Sequence, residues 1–117
     1  MKTLRRFEIW IADLPLDEES HVQGGRRPVI IASNDIVNKY SSVITVIPLT
    51  SKIKRLDLPT HVLLHEDGLA VRSLALCEQV ITVDKRLLIW RIGSVQDPRS
   101  CDALNRALAI QFGMTAA

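Results

Sequence analysis

The sequence is poor in aromatic residues and in cysteine. Aromatic residues make up 4% of the 117 positions, and Cys77 and Cys101 are the two cysteines, without CxxC spacing. This usage argues against a disulfide framework and against a zinc site, so we interpret both cysteines as small buried hydrophobic residues. The three histidines, His21, His61 and His65, also lack ligand spacing. We therefore expect no metal site, and we interpret His61 as a packing or surface residue.

Long apolar runs are missing as well. No run approaches the roughly 20 residues that a membrane-spanning helix needs. The first residues, MKTLRRFE, reach the acidic Glu8 before the apolar core of a signal peptide could develop. We expect a cytoplasmic protein without a membrane segment.

The common catalytic fingerprints are absent too. The chain has no GxxxxGK[ST], GxSxG, HExxH or GxGxxG motif. These absences remove the usual signatures of nucleotide binding, serine hydrolysis and zinc hydrolysis. We expect no cofactor.

What is present is an ordinary globular composition with an uneven distribution of charge. Hydrophobic residues make up 47% and charged residues 24%, which predicts one domain over residues 1–117. The net charge is only +2, but basic residues cluster at 26–27 and at 52–55. Such clusters could steer an anionic partner, or they could be plain solvated loops, and charge alone does not decide.

Hydrophobic periodicity predicts many short strands. Strands are expected over 7–14, 28–32, 42–49 and 60–64, then a strand over 73–83 that is bent or broken near Glu78, and a short one over 92–95. In the first strand Phe7, Ile9 and Ile11 should face the core, and Pro28 should begin the second strand. Short helical turns are expected over 34–40 and 84–88. Asp97 and Pro98 should start a C-terminal helix that ends at Gly113. The fold class is therefore mainly β, a small barrel with short helical insertions and a C-terminal helix.

Three residues offer chemistry without a metal. Arg27, next to Pro28, would present a planar guanidinium that suits a phosphate. Thr50 offers a hydroxyl beside a basic loop, and Glu78 is a carboxylate in an apolar stretch, where a general base could arise. Each also has an ordinary structural explanation, so spacing alone leaves a shared active site open.

An ordered series of short motifs carries a resemblance to a known family. The motifs are QGGRRPV at 23–29, SND at 33–35, PLTS at 48–51, LPTHV at 58–62, EQ at 78–79, TVDKRL at 82–87 and IG at 92–93. Each motif is weak by itself, but together and in this order they resemble the MazF/PemK family of toxin endoribonucleases. The likeness runs from about residue 7 to 95 and continues weakly through the terminal helix.

The resemblance implies an SH3-like plasmid-maintenance-toxin barrel that forms homodimers and cuts single-stranded RNA without a metal. The 2′-hydroxyl next to the cut bond would attack its own phosphate and leave a 2′,3′-cyclic phosphate and a 5′-hydroxyl. Arg27 matches the catalytic arginine, Thr50 a phosphate-contacting threonine, Glu78 an active-site acid of some members, and His21 a histidine of certain members. The residues expected to contact RNA are Gln23, Gly25, Arg26, Ser51, Lys52, Lys54, Arg55 and Gln79. A small antitoxin with an acidic or amphipathic tail is the expected protein partner.

Two departures from the family pattern bear on proton transfer. Val22 stands where many members have Glu, and Leu76 where some have Arg. A catalytically silent RNA-binding barrel is therefore an alternative. A gyrase poison of the CcdB type, which shares the fold, is a weaker one, because the chain ends MTAA rather than Trp-Gly-Ile.

Overall fold

The fold is a bent antiparallel sheet with one long helix, seen in a computed structural model that describes residues 2–117. The strands and helices, in chain order, are β1 (Glu8–Leu14), β2 (Gly25–Ile31), α1 (Asp35–Tyr40), β3 (Val43–Thr50), β4 (His61–Leu64), β5 (Ser73–Leu76), β6 (Ile81–Asp84), β7 (Leu88–Ser94) and α2 (Pro98–Gln111). Single 3₁₀ turns lie at Cys77–Gln79 and Lys85–Leu87. No helix within residues 2–117 is long and apolar enough to cross a membrane.

Strand β3 is the centre of the sheet. The strand order is β4-β5-β3-β2-β1-β7, and β6 pairs with β3 outside this path. The first half of β3 pairs with β6 and its last two residues pair with β5, while β2 lies along its other edge. One strand therefore joins both halves of a strongly bent sheet. The predicted barrel-like β architecture with its C-terminal helix is confirmed, and the sheet stays open between β4 and β7.

The sheet is buried on both faces, which differs from the simple alternation predicted for β1. Ile9 packs into one apolar cluster with Leu104 of α2. Trp10 and Ala12, expected to face outward, are buried in a second cluster on the other side, and Ile11 is only half-buried. The reason is the bend of the sheet, because a wrapped sheet places apolar neighbours on both sides of its central strands.

The two helices begin as their capping residues predict. The Asn34 side chain accepts a hydrogen bond from the Val37 amide, and Asp97 accepts one from the Arg99 amide, with Pro98 at the first position of α2. Gly113 has a φ of +70°, the left-handed conformation that glycine adopts readily after a helix.

Three expected boundaries are corrected. Pro28 lies inside β2 rather than at its start, because the residues from Gly25 onward already pair with β1. Pairing of β2 with β3 begins only at Val29, so no hydrogen bond from a residue 28 amide is required on that edge. The stretch 73–83 is two strands, and the 3₁₀ turn at the expected break places Glu78 outside any strand. The last strand begins at Leu88, well before residue 92, because it pairs along β1.

The two cysteines differ in burial. Cys77 is fully buried, and burial raises the pKa of its thiol to about 12, as expected for a small core residue. Cys101 is only half-buried, on α2, where its thiol lies 3.5 Å from the Val95 carbonyl oxygen.

Helix α2 should contribute measurably to stability through Leu104. We expect Leu104→Ala to lower the free energy of unfolding by about 2–5 kcal/mol, because the substitution leaves a cavity in a fully buried site. Urea unfolding followed by circular dichroism measures the change. The control, Ile36→Ala on exposed α1, should stay within about 0.5 kcal/mol. Equal effects of the two substitutions would show that α2 does not belong to the cooperative core.

Candidate functional site

A groove of about 620 Å³ lies where β2, β3 and β7 meet the loops that follow β3 and β4. Its lining combines basic and hydroxyl side chains with apolar ones. The polar lining consists of Gln23, Arg26, Arg27, Thr50, Ser51, Lys52, Lys54 and Ser73, and the apolar lining includes Ile11, Leu69, Val71, Trp90 and Ile92. The groove can therefore receive a molecule that has both anionic and apolar parts.

Arg27 is held in the groove by main-chain oxygens. Its Nε donates to the Gly24 carbonyl oxygen at 2.8 Å, and its Nη1 donates to the Leu49 carbonyl oxygen at 3.1 Å. Partial burial lowers the pKa of the guanidinium, which nevertheless stays charged at neutral pH. Among residues 2–117 no carboxylate forms a salt bridge with Arg27. Its charge is thus oriented but uncompensated.

The main chain at residue 24 can lie close enough to bind Arg27 because this residue is glycine. A Cβ atom on Gly24 would lie 2.3 Å from the Pro15 carbonyl oxygen. Any side chain at this position would push the loop between β1 and β2 away from Pro15. The first of the two carbonyl groups that fix Arg27 therefore depends on a glycine.

Thr50 lies next to the second of the two carbonyl groups that hold Arg27. It is the buried last residue of β3, and it directly follows Leu49, whose carbonyl group binds the guanidinium. Its Oγ1 accepts a hydrogen bond from the Lys52 amide at 3.2 Å. A hydroxyl that already accepts can direct its own hydrogen at a ligand oxygen. The structure thus brings two predicted site residues, Arg27 and Thr50, into one groove.

The other predicted cationic side chains differ in whether a carboxylate is already paired with them. Arg26 forms a bidentate pair with Asp13 of β1, which lowers the pKa of that carboxyl group. Arg55 forms a similar pair with Asp57 and does not line the groove. Lys52 and Lys54 line the groove, and Ser51 lies beside them.

Glu78 lies outside the groove lining and is engaged by His61. The His61 side chain is only 4% exposed, and its Nε2 lies 2.6 Å from Glu78 Oε2. The Thr60 hydroxyl donates to the other carboxylate oxygen at 3.3 Å. On its far side, His61 Nδ1 lies 3.2 Å from the Lys54 carbonyl oxygen. His61 therefore connects the 3₁₀ turn that carries Glu78 to the basic loop at the groove.

Both ring nitrogens of His61 lie within hydrogen-bond distance of oxygen atoms on other segments. Nε2 faces Glu78 Oε2 at 2.6 Å and Nδ1 faces the Lys54 carbonyl oxygen at 3.2 Å, and which nitrogen donates depends on the tautomer of the ring. The ring is therefore held between two acceptor oxygen atoms.

Gln79 organises the loop that carries His21. The Gln79 Oε1 accepts a hydrogen bond from the Gln23 amide at 2.7 Å, and its Nε2 donates to the His21 carbonyl oxygen at 3.4 Å. The His21 side chain is exposed and outside the groove lining. Gly25, whose φ is +81°, starts β2 and also lies outside the lining. Gln79 acts on the loop rather than in the groove.

The two departures from the family pattern lie in different surroundings. Val22 is exposed on the same loop as His21. Leu76 is buried in β5, opposite His61 in the register of the β4–β5 pair.

Sequence reasoning missed two residues of this region. His61 was expected to be a packing or surface residue, and its bridging role depends on the contact between two distant segments. Trp90 of β7 lines the groove. The sequence signal that could have indicated it is an aromatic residue next to Arg91, but the strand was predicted to begin only at residue 92. Within residues 2–117 no group of three or more His, Cys, Asp or Glu side chains is arranged to hold a metal ion.

Comparison with known proteins gives one consistent family. A profile described as PemK-like, MazF-like toxin of type II toxin-antitoxin system matches residues 5–112. The protein named Endoribonuclease MazF from Staphylococcus saprophyticus is 35% identical over 113 residues, which span 95% of this chain and 92% of that protein.

Solved structures agree with this fold. Mycobacterium tuberculosis toxin MazF-mt6 superposes with a TM-score of 0.75 at 26% identity, covering 91% of this chain and 96% of the other. An endoribonuclease solved in complex with its cognate antitoxin, from a mycobacterial species, has a TM-score of 0.80 at 23% identity, with 97% and 99% of the two chains covered. That second likeness shows a shared fold.

The His61–Glu78 contact predicts a contrast between two substitutions. Glu78→Ala should lower the free energy of unfolding by about 1–3 kcal/mol, because it leaves a buried ring nitrogen without a partner. Glu78→Gln should cost less, because its side-chain amide can still form a hydrogen bond with Nε2. Urea unfolding at pH 7 compares them. No loss in Glu78→Ala would show that the contact does not stabilise the fold, and equal losses would show that the amide does not replace the carboxylate.

Proposed function

The chain belongs to the PemK-like, MazF-like toxin family of type II toxin-antitoxin systems, and on this premise we propose that it is an endoribonuclease that cleaves single-stranded RNA. The observation that carries the proposal is the uncompensated Arg27 guanidinium beside the Thr50 hydroxyl in an open groove. An oriented cation without a carboxylate partner is available to a phosphate.

The chemistry follows from these two groups. The 2′-oxygen forms a bond to phosphorus while the bond from phosphorus to the 5′-oxygen breaks, so the products carry a 2′,3′-cyclic phosphate and a 5′-hydroxyl. The 2′-hydroxyl loses its proton and the leaving 5′-oxygen gains one. At the pentacoordinate stage the phosphoryl oxygens carry extra charge, which preplaced donors such as Arg27 and Thr50 stabilise more than they stabilise the ground state.

Proton transfer is assigned to Glu78 and His21. Support for Glu78 is its 2.6 Å contact with His61 Nε2, and support for His21 is its exposed position on the loop held by Gln79. Neither side chain belongs to the groove lining of a single protomer. We propose that the active form is a homodimer, in which loops of both protomers complete the site.

RNA binding is assigned to the cationic side chains of the groove. Lys52 and Lys54 would track the phosphates near Arg27, with Ser51 beside them. Arg26 would need to exchange Asp13 for a phosphate, whereas Arg55, Gln79 and Gly25 would shape the loops around the strand. This division refines the set of RNA-contacting residues that the sequence predicts.

Restraint by a protein partner is part of the proposal. A cytoplasmic endoribonuclease requires an inhibitor, and a neighbour of the same fold has been solved in complex with its cognate antitoxin. An acidic antitoxin tail would compete with RNA for Lys52, Lys54 and Arg27.

Cleavage of a long single-stranded RNA tests the proposal. The purified protein, incubated with RNA in excess chelator, should cut at one short motif and leave cyclic phosphate ends. Arg27→Ala should lower the rate by about 10²–10³-fold, because it removes a main donor to the transition state. Arg86→Ala removes an exposed arginine that is ion-paired with Asp84 away from the groove, and it should leave the rate unchanged. Intact RNA from folded, antitoxin-free protein would favour the silent RNA-binding barrel.

Proton transfer has its own test. Glu78→Gln and His21→Ala should each lower kcat by about 10²–10⁴-fold with little change in KM, as loss of a general acid or base does. Single-turnover cleavage measures the chemical step, and the unfolding data on Glu78→Gln separate a loss of chemistry from a loss of fold. A full rate for either variant would remove that residue from the mechanism.

A further inference from the structure

Trp90 is placed unlike the other tryptophan of the chain. Its side chain is 48% exposed and lines the groove, whereas Trp10 is 7% exposed and its indole N–H donates to Glu8. Among residues 2–117 the Trp90 indole N–H has no hydrogen-bond partner. A large apolar ring with a free donor is thus presented inside the concave surface that also contains Arg27.

The strand register fixes Trp90 relative to the proposed reaction centre. Trp90 of β7 pairs with Ile11 of β1, and Ile11 pairs with Pro28 of β2, the residue after Arg27. Two strand spacings separate Trp90 from Pro28, or about 10 Å. A nucleotide whose phosphate lies at Arg27 can therefore bring its own base, or the next one, to the indole.

The surroundings of Trp90 suit a base rather than a second phosphate. The apolar residues Ile11, Ile92, Leu69 and Val71 line the same groove as Trp90, and Ile11 is its partner in the strand register. A base has an apolar face and polar edges, and an indole offers a stacking face together with one donor. The groove thus offers cationic side chains for the phosphate chain and apolar side chains for the bases.

We propose that Trp90 stacks on a base next to the cut phosphate and helps to determine which RNA sequence is cleaved. This inference rests on the proposed ribonuclease activity and adds to it a residue that acts on the base, whereas Arg27 and Thr50 act on the phosphate. Stacking tolerates any base, but purines stack over a larger area than pyrimidines, so the contact favours a purine at this position.

Fluorescence tests the contact directly because the chain has two tryptophans. In Trp10→Phe protein the emission comes from Trp90 alone. The probe is an RNA oligonucleotide with the mapped cleavage motif and a 2′-deoxy sugar at the cut position, which binds but lacks the attacking hydroxyl. We expect saturable quenching of Trp90 by this oligonucleotide and no quenching by the same oligonucleotide in Trp90→Phe protein, in which Trp10 is the reporter.

Kinetics test the consequence for specificity. Trp90→Ala should raise KM for the cognate motif about 5- to 150-fold, the range for loss of one stacked base, with a smaller change in kcat. Trp90→Phe should restore most of the affinity, and it should alter the ranking of motifs that differ in the adjacent base. Tyr40→Ala, which removes an exposed aromatic residue outside this groove, should change neither parameter.

The outcomes separate this inference from the function on which it rests. Failure of the wild-type protein to cut RNA contradicts the proposed function. Cleavage by the wild-type protein, together with an unchanged KM and motif ranking in Trp90→Ala, overturns the role of Trp90 alone. Unchanged RNA cleavage combined with weakened antitoxin binding would also overturn it and assign Trp90 to the protein partner.

Discussion

The arrangement of the site depends on two hydrogen bonds from one guanidinium to main-chain oxygens. Arg27 is fixed by the carbonyl groups of Gly24 and Leu49, which belong to the loop before β2 and to the end of β3. Carbonyl groups orient an arginine without cancelling its charge, whereas a carboxylate would do both. Strand pairing between β2 and β3 sets the distance between these carbonyl groups, so the sheet determines where the charge lies.

The sequence allowed much of this framework to be predicted, for physical reasons that can be named. The starts of both helices were predicted from Asn34, Asp97 and Pro98, because capping depends on neighbours within one turn. The prediction for β1 is confirmed for Phe7 and Ile9, which are buried. It is wrong for the other face, because alternation assumes a sheet with one buried side, and this bent sheet also buries Trp10. Rules based on neighbouring residues in the sequence therefore predicted the features that neighbouring residues determine.

The candidate site also has a part that sequence neighbours determine and a part that depends on contacts between distant segments. Arg27 and Thr50 could be found because the pattern located β2 and β3, and strands that pair lie side by side, although β2 begins before Arg27 rather than after it. The link from Lys54 through His61 to Glu78 could not be found, since it joins a loop, a strand and a 3₁₀ turn by contacts that no spacing records. Trp90 was not predicted as a site residue because the predicted last strand began after it. The pairing of β7 with β1 places the Trp90 indole in the groove.

The pairing of Arg26 with Asp13 has a consequence for how binding responds to salt. An arginine that is paired with a carboxylate gives up that pair when it binds a phosphate, so the exchange adds no net ion pair. If the groove binds RNA as proposed, the salt dependence comes mainly from Arg27, Lys52 and Lys54, which form no salt bridge among residues 2–117. For single strands each phosphate neutralised contributes about 0.7 to the slope of log affinity against log salt concentration. So few unpaired cations would give a shallow slope, and the proposed RNA binding would persist at the ionic strength of a cell.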